Sequence, residues 1–420
     1  MDKERFLNAL LGLLAIDSVA MLDPCEGKPY GSGPAEALDY VLTLCAELGV
    51  RTENRGGKVA WAEIGEGEEI VGILGHLDVV PVGDGWTHDP RGEVCGDRLY
   101  GRGAVDDKGP VMAALFAMKE LQDARVPLGR RVRLIFGQNE ETGDWADMAY
   151  YRQHEQLPVF GFTPDADFPA IYGEKGILNY ELSLPLERAG LRSAEGGDAS
   201  NMVPAWAKAV APDGTEFSAK GRAAHASLPE KGENAICALM AQLAAAGVES
   251  PLVDFYLAHI GDDLNGGKMG CGFSDEQSGK LTMNAGKLRT ENGAVVLTLD
   301  IRNPVTCTEA QVREAIEAAC APYGISVRLT GNQAHVYMDK NGKVIQTMLE
   351  VYRAVTGDLS EPAVIGGGTY ARAMPGIVAF GPMQPGRECT EHQKDEYILL
   401  EDLYQAEEIY RRTIEKLAAL

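Results

Sequence analysis

Positive charge is scarce in this chain. Its 420 residues carry 39 lysines and arginines against 62 aspartates and glutamates, a formal net charge of −23. So acidic a molecule repels phosphate backbones and anionic lipid, which argues against nucleic acid or a membrane surface as partner. No apolar run is long enough to span a bilayer. The opening MDKERFLNALLGLLAIDS has charge before an apolar stretch, but Asp2 and Glu4 spoil the basic start of an export signal. Phe6, Leu7, Leu10, Leu11 and Leu14 read instead as one stripe of an amphipathic helix. Eight cysteines show no CxxC pair and no regular spacing. They read as reduced thiols of a cytoplasmic protein, not as a disulfide frame or a thiolate zinc knuckle. A Gly-x-Ser-x-Gly elbow is absent, which disfavours a serine hydrolase, and so is a Walker-type Gly-Lys-Ser/Thr loop. Gly366-x-Gly368-x-x-Ala371 fits a dinucleotide fingerprint on paper, but no βαβ unit with its acid follows it.

What is present is a two-texture chain. At 45% apolar and 24% charged residues it has the composition of a globular protein, and its length exceeds one ordinary core. The first part alternates strand and helix: IVGILGHLD, then KGPVMAALFAMKELQDA, RVRLIFG, MAYYRQHE and PVFGFTPD. That alternation predicts an α/β layer on a mixed sheet, with ligands gathered at the carboxyl ends of strands. From about Lys175 the pattern changes to strands ILNYELSL, AWAKAVAP and FSAKGRAAH, two helices over ENAICALMAQLAAAG and LVDFYLAHIG, and a hairpin. The hairpin joins LTMNAGKLR to AVVLTLDIR through Asn292-Gly293, which supplies positive φ. A helix over Glu309–Cys320 and the strand ISVRLTG complete this α+β unit. The α/β texture then returns through PAVIGGG, IVAFGP and a long last helix. The predicted organisation is one domain over 1–175 and 336–420, with an inserted domain over 176–335.

Acids recur at the predicted strand ends. In GHLDVVP, His76 and Asp78 are two residues apart on a strand, so they leave the sheet on one face and can touch one ligand or each other. GRGAVDDKG brings Asp106 and Asp107 to the mouth of a helix. FGQNEETGD places Glu140 and Glu141 after one strand, GFTPDADFP places Asp165 and Asp167 after another, and EHQKDEY puts His392 in a loop before the last helix. Acids crowded at one sheet edge repel severely without a cation. Imidazole nitrogen with carboxylate oxygen suits zinc or manganese, not calcium.

HLDVVP, GRGAVDDKG, NEETG, TPDADFP and EHQKDEY, in this order along the whole chain, resemble the motifs of the di-zinc aminoacylase/carboxypeptidase/dipeptidase family. SNMVP, KGRAAHASLPEKGENA, SGKLTMNAG and GGGTYARAMP narrow the likeness to bacterial dipeptidases of the PepV or carnosinase-like kind. The resemblance implies a mixed-sheet catalytic domain with an inserted α+β lid, and two Zn2+ ions, with Mn2+ or Co2+ as substitutes. It implies that Asp106 bridges the ions, that His76 and Asp165 complete one, and that Glu141 and His392 complete the other. Glu140 would be the general base for a bridging hydroxide that cleaves an amide. Asp78 would hydrogen-bond the far nitrogen of His76 and fix its tautomer. The family pattern also implies a cis peptide between Asp106 and Asp107. In the inserted domain it implies that His225 steadies the oxyanion, while Asn201 and Arg302 hold the substrate's carboxylate or carbonyl. Gly366, Gly367 and Gly368 would let backbone amides approach an anion, and Arg372 would clamp a carboxylate. His88, His154, His259 and His335 receive no role.

The expected function is hydrolysis of unblocked dipeptides. The same chemistry on N-acyl amino acids, or on a biosynthetic intermediate, is the alternative. A binding protein on a dead peptidase fold would lack the base or a ligand, and neither is missing. The long insert resembles lids that supply every site residue within one chain, so a monomer is favoured over a dimer.

Overall fold

Three buried runs set the frame of the first compact unit, which comprises Met1–Tyr172, Met338–Ala363 and Thr369–Leu420. The computed structural model describes all residues from 1 to 420. Arg131–Gly137, Ile70–His76 and Phe160–Thr163 lie side by side and parallel, with Ile70–His76 in the middle. Every residue of Ile70–His76 is buried, as expected of a strand covered on both faces, which reads as a continuous apolar run without alternation. Ile377–Ala379 extends the parallel set beyond Phe160–Thr163. On the other side the sheet turns antiparallel through Ala60–Ile64 and Arg51–Asn54. The helix Lys108–Asp123 is buried along most of its length and packs against the last helix, Leu400–Ala418, and the first, Lys3–Leu14. Asp2 caps the first helix by accepting from the Arg5 amide.

The second unit comprises Gly173–Tyr337 and Val364–Gly368. Residues 364–368 therefore group with it, whereas the sequence reading leaves them in the outer domain. Its sheet is antiparallel, in the order Glu216–Lys220, Trp206–Val210, Ser193–Gly196, Thr282–Glu291, Ala294–Asn303, Gly176–Pro185 and Ser326–Gln333. Buried and less buried positions alternate along Gly176–Pro185, the mark of a sheet with one face in the core. That core includes Leu182, Leu239, Phe255, Leu297 and Ile316, which come from this sheet and from the helices Ala235–Ala245, Pro251–His259 and Glu309–Cys320. The hairpin turns at Asn292 (φ 49°) and Gly293 (φ 75°), as the Asn-Gly pair requires. FSAKGRAAH is strand only to Lys220; His225 sits beyond it in a loop joined to Met202 by a single bridge. The chain is thus a mixed-sheet α/β protein with an inserted α+β unit. All eight cysteines are free thiols, and no helix is long and apolar enough to cross a membrane.

Candidate metal centre

Parallel neighbours end at one edge, and in the first unit that edge collects the acids. His76 closes the central strand; Glu140 and Glu141 follow Arg131–Gly137, and Asp165 follows Phe160–Thr163. Asp106 and Asp107, joined by a cis peptide bond, lead into the helix Lys108–Asp123. The two oxygens of Asp106 face different histidines. His76 Nε2 lies 2.9 Å from Oδ1, and His392 Nε2 lies 3.0 Å from Oδ2. A further acid stands beside each histidine: Asp165 Oδ2 is 3.9 Å from His76 Nε2, and Glu141 Oε2 is 3.1 Å from His392 Nε2. His76, Asp106, Glu141, Asp165 and His392 are thus brought together, in two halves that share Asp106.

The electrostatics of the cluster ask for cations. Burial, then the charge of Asp106, pushes the Asp165 carboxyl well above its ordinary range, and burial does the same to Asp107. Burial, reinforced by Glu141 and Asp106, raises Glu140 to about 8, and burial also raises Glu141. Asp106 behaves oppositely. Burial opposes its charge, but His392 and His76 hold its carboxyl far below the usual range. Asp106 and Glu141 raise His392 to about 10. For His76, burial disfavours the cation, yet Asp106 and Asp78 raise it well above its ordinary value. Protons are thus held where positive charge is missing. In addition, His76 Nε2 and Asp106 Oδ1 are buried and lack a hydrogen-bond partner although they are only 2.9 Å apart. Two such atoms, close together and each without a hydrogen-bond partner, could both bind one ion. The donors are imidazole nitrogen and carboxylate oxygen, and they fit zinc-class divalent ions.

Three supporting acids hold this arrangement. The Asp78 carboxylate accepts the backbone amides of Glu140 (3.1 Å) and Glu141 (3.0 Å). His76 Nδ1 donates to the Asp78 backbone carbonyl at 2.9 Å, and the nearer carboxylate oxygen is 3.4 Å away. The carbonyl orients the ring, and the carboxylate, expected from sequence to do so, chiefly pins the Glu140–Glu141 turn. Sequence reasoning missed the other two. Glu396 accepts the amides of Gly103, Val105 and Asp106 on Oε1, while Oε2 takes 2.6 Å from Arg102 Nη1. Asp147 accepts the amides of Gln138 and Asn139 and the Tyr370 hydroxyl. The Tyr370 ring in turn stands edge-on to His76, 5.9 Å between centroids. Glu396 lies inside EHQKDEY, and its burial is the one signal that marks it, which a single sequence does not display. Arg372 lies on the short turn Tyr370–Ala373 of this unit and is half-buried.

The remaining expected residues cluster within the second unit. The Ala226 amide donates to the Asn201 carbonyl at 2.8 Å, so Asn201 and His225 are neighbours. The Ser227 amide donates to His225 Nδ1 at 3.2 Å. An amide only donates, so Nδ1 accepts and a neutral His225 carries its proton on Nε2. Burial and the charge of Arg302 lower the His225 pKa, which favours that neutral form. Arg302 forks onto Asp300, with Nε–Oδ1 at 2.6 Å and Nη2–Oδ2 at 3.0 Å, and Nη1 donates to the Gly366 carbonyl at 3.1 Å. It therefore holds the loop that leads into Gly367 and Gly368. A Cβ on Gly366 would stand 3.1 Å from Ser227 Cβ, so that loop and the His225 loop are in close approach.

Comparison with known proteins bears on the whole chain. The model of "Peptidase family M20/M25/M40" matches residues 72–416. "Putative dipeptidase YtjP" of Bacillus subtilis is 38% identical over 93% of this chain and 92% of its own length. The M20 family metallo-carboxypeptidase Sso-CP2 of Sulfolobus solfataricus superposes with a TM-score of 0.63 at 22% identity, covering 100% of both chains. YXEP of Bacillus subtilis, described as a dinuclear metal-binding peptidase, gives 0.58 at 14% identity, over 99% of this chain and 98% of its own. These two structures share the fold. The matched segment contains every residue from His76 to His392 described above, and the chain belongs to the peptidase family M20/M25/M40 and is a hydrolase.

Proposed function

We propose that the protein is a metal-dependent dipeptidase that hydrolyses the amide bond of unblocked dipeptides. The observation that carries this reading is Asp106, whose two oxygens each face a different histidine with its own neighbouring acid. His76, Asp165 and Asp106 would hold one divalent ion, and His392, Glu141 and Asp106 the other. When bound, such ions acidify water and polarise a carbonyl. Glu140 is proposed to move the proton. Burial makes its carboxylate more basic than an exposed glutamate, and the amide bonds to Asp78 fix the turn that carries it. The proton leaves the attacking water for Glu140 and ends on the departing amine. His225, with hydrogen on Nε2, is proposed as a donor to negative charge on the substrate, and Asn201, Arg372 and the Gly367–Gly368 amides as its further binding groups. The dipeptidase name borne by YtjP favours this substrate class.

The test is a panel of dipeptides against N-acetyl and N-succinyl amino acids, with zinc, cobalt or manganese added to metal-stripped protein. Turnover of dipeptides alone is the expected result; turnover of acylated amino acids alone makes the protein a deacylase. Glu140→Ala should keep both ions and lose roughly 10²–10⁴ in kcat. His392→Ala should lose an ion as well. Undiminished kcat in the Glu140 variant would remove the proposed base.

A further inference from the structure

A second group of metal-binding side chains lies in the first unit, built from residues that the proposed catalytic centre does not use. We propose that His88, Glu93 and Cys95 bind one zinc-class cation. The side-chain donors of these three residues all lie within 4.8 Å of one another. The local sequence HDPRGEVC explains how they meet. Glu93 and Cys95 are the ends of a three-residue strand, so their side chains share a face. That strand pairs antiparallel with Arg98–Tyr100, with Glu93 directly opposite Tyr100. The His88 ring stacks on the Tyr100 ring, 3.7 Å between centroids and 12° between planes, which sets the imidazole over Glu93. His88 Nδ1 is buried and lacks a hydrogen-bond partner, although Glu93 Oε2 is 3.3 Å away. The Asp89 amide donates to the same Oε2 at 2.9 Å and steadies the carboxylate. Arg98 stands opposite Cys95, but its guanidinium lies over the Tyr397 ring at 4.3 Å.

One nitrogen, one oxygen and one sulfur make a borderline-soft set. It suits zinc, cobalt or cadmium, leaves a fourth position for water, and is unsuited to magnesium or calcium. Cys95 is exposed, so an ion can reach it from solvent. The strand and loop are also tied to the segment that carries His392: the Asp395 carboxylate accepts the amides of Thr87 (2.7 Å) and His88 (3.1 Å).

Sulfur separates this site from the proposed catalytic centre, whose five ligands include none. Metal-free protein titrated with cobalt(II) should show a near-ultraviolet thiolate-to-cobalt charge-transfer band. The band should persist in His392→Ala, vanish in Cys95→Ser, and weaken in His88→Ala. Zinc should displace the cobalt and slow alkylation of Cys95, followed by peptide mass spectrometry. Cys95→Ser should keep its peptidase turnover and bind one ion fewer per chain. No thiolate band in the parent protein, a band that survives Cys95→Ser, or alkylation of Cys95 unaffected by zinc would each overturn the assignment.

Discussion

Glu396 shows how much of the proposed metal centre rests on a side chain that touches none of the proposed ligand atoms. Its carboxylate gathers three amides of one loop, those of Gly103, Val105 and Asp106, and pairs with a buried Arg102. Glu396→Gln removes one charge of a fully desolvated pair and leaves the guanidinium uncompensated. The expected cost is about 3–5 kcal/mol of stability, together with a loss of roughly 10–100-fold in affinity for the ions. Urea unfolding and competitive zinc titration would check these two effects; unchanged zinc affinity would reduce Glu396 to a purely structural residue. The proposed ligands were legible because each lies in a motif of recognisable order: His76, Asp106, Glu141 and Asp165 stand at or just beyond a strand end or at a helix mouth, and His392 in the loop before the last helix. Glu396 and Asp147 were not, because their importance lies in burial and in backbone amides, which leave no trace in residue spacing. The division of labour within Asp78, carbonyl to His76 and carboxylate to the next turn, was illegible for the same reason.

Among whole elements, those read well were the ones with an unambiguous period or an unbroken apolar run, such as Ile70–His76, Arg131–Gly137 and Leu400–Ala418. The helix Ser32–Leu48 escaped because it opens on Gly-Ser-Gly-Pro, punctuation that reads as a loop. Ala60–Ile64 escaped because Glu63 interrupts its apolar run, although Arg133 pairs with that carboxylate inside the protein. The last helix carries a comparable buried acid. Burial, then repulsion from Glu120, raises Glu407 from 4.5 to about 7, and its Oε1 has no hydrogen-bond partner. The folded state therefore keeps its proton longer than the unfolded state. Stability contributed by the neutral form is full below pH 4.5 and falls as pH rises toward 7. Glu407→Gln cannot ionise, so it should match the parent in acid. It should exceed the parent by on the order of 1–3 kcal/mol at about pH 8. Thermal melts across that range would test this; a difference independent of pH would show that ionisation is not the cause.

At the scale of the molecule, the chain folds as two units with separate cores, and all five expected ligands lie in the first. Ions that bind only the folded state stabilise it by mass action, by about 2.7 kcal/mol at a hundredfold excess over Kd. Chelation should accordingly lower Tm and speed amide exchange over 70–78, 131–141 and 160–165. The sheet strands 176–185 and 294–303 should exchange as before. Equal acceleration in both units would mean that they unfold together. The sequence reading placed the borders by a change of texture, near 175 and 335, and the compact units divide at 172/173 and 337/338. It had no means of seeing that 364–368 belong with the insert, since that grouping is tertiary. His392 has one more consequence. The whole insert separates it from His76 along the chain, so a ribosome must make both segments of the first unit before the proposed second ion has a home. Capture of that ion would then act as a seal on the reunited first unit, and a chain stopped short of the His392 loop would go unsealed.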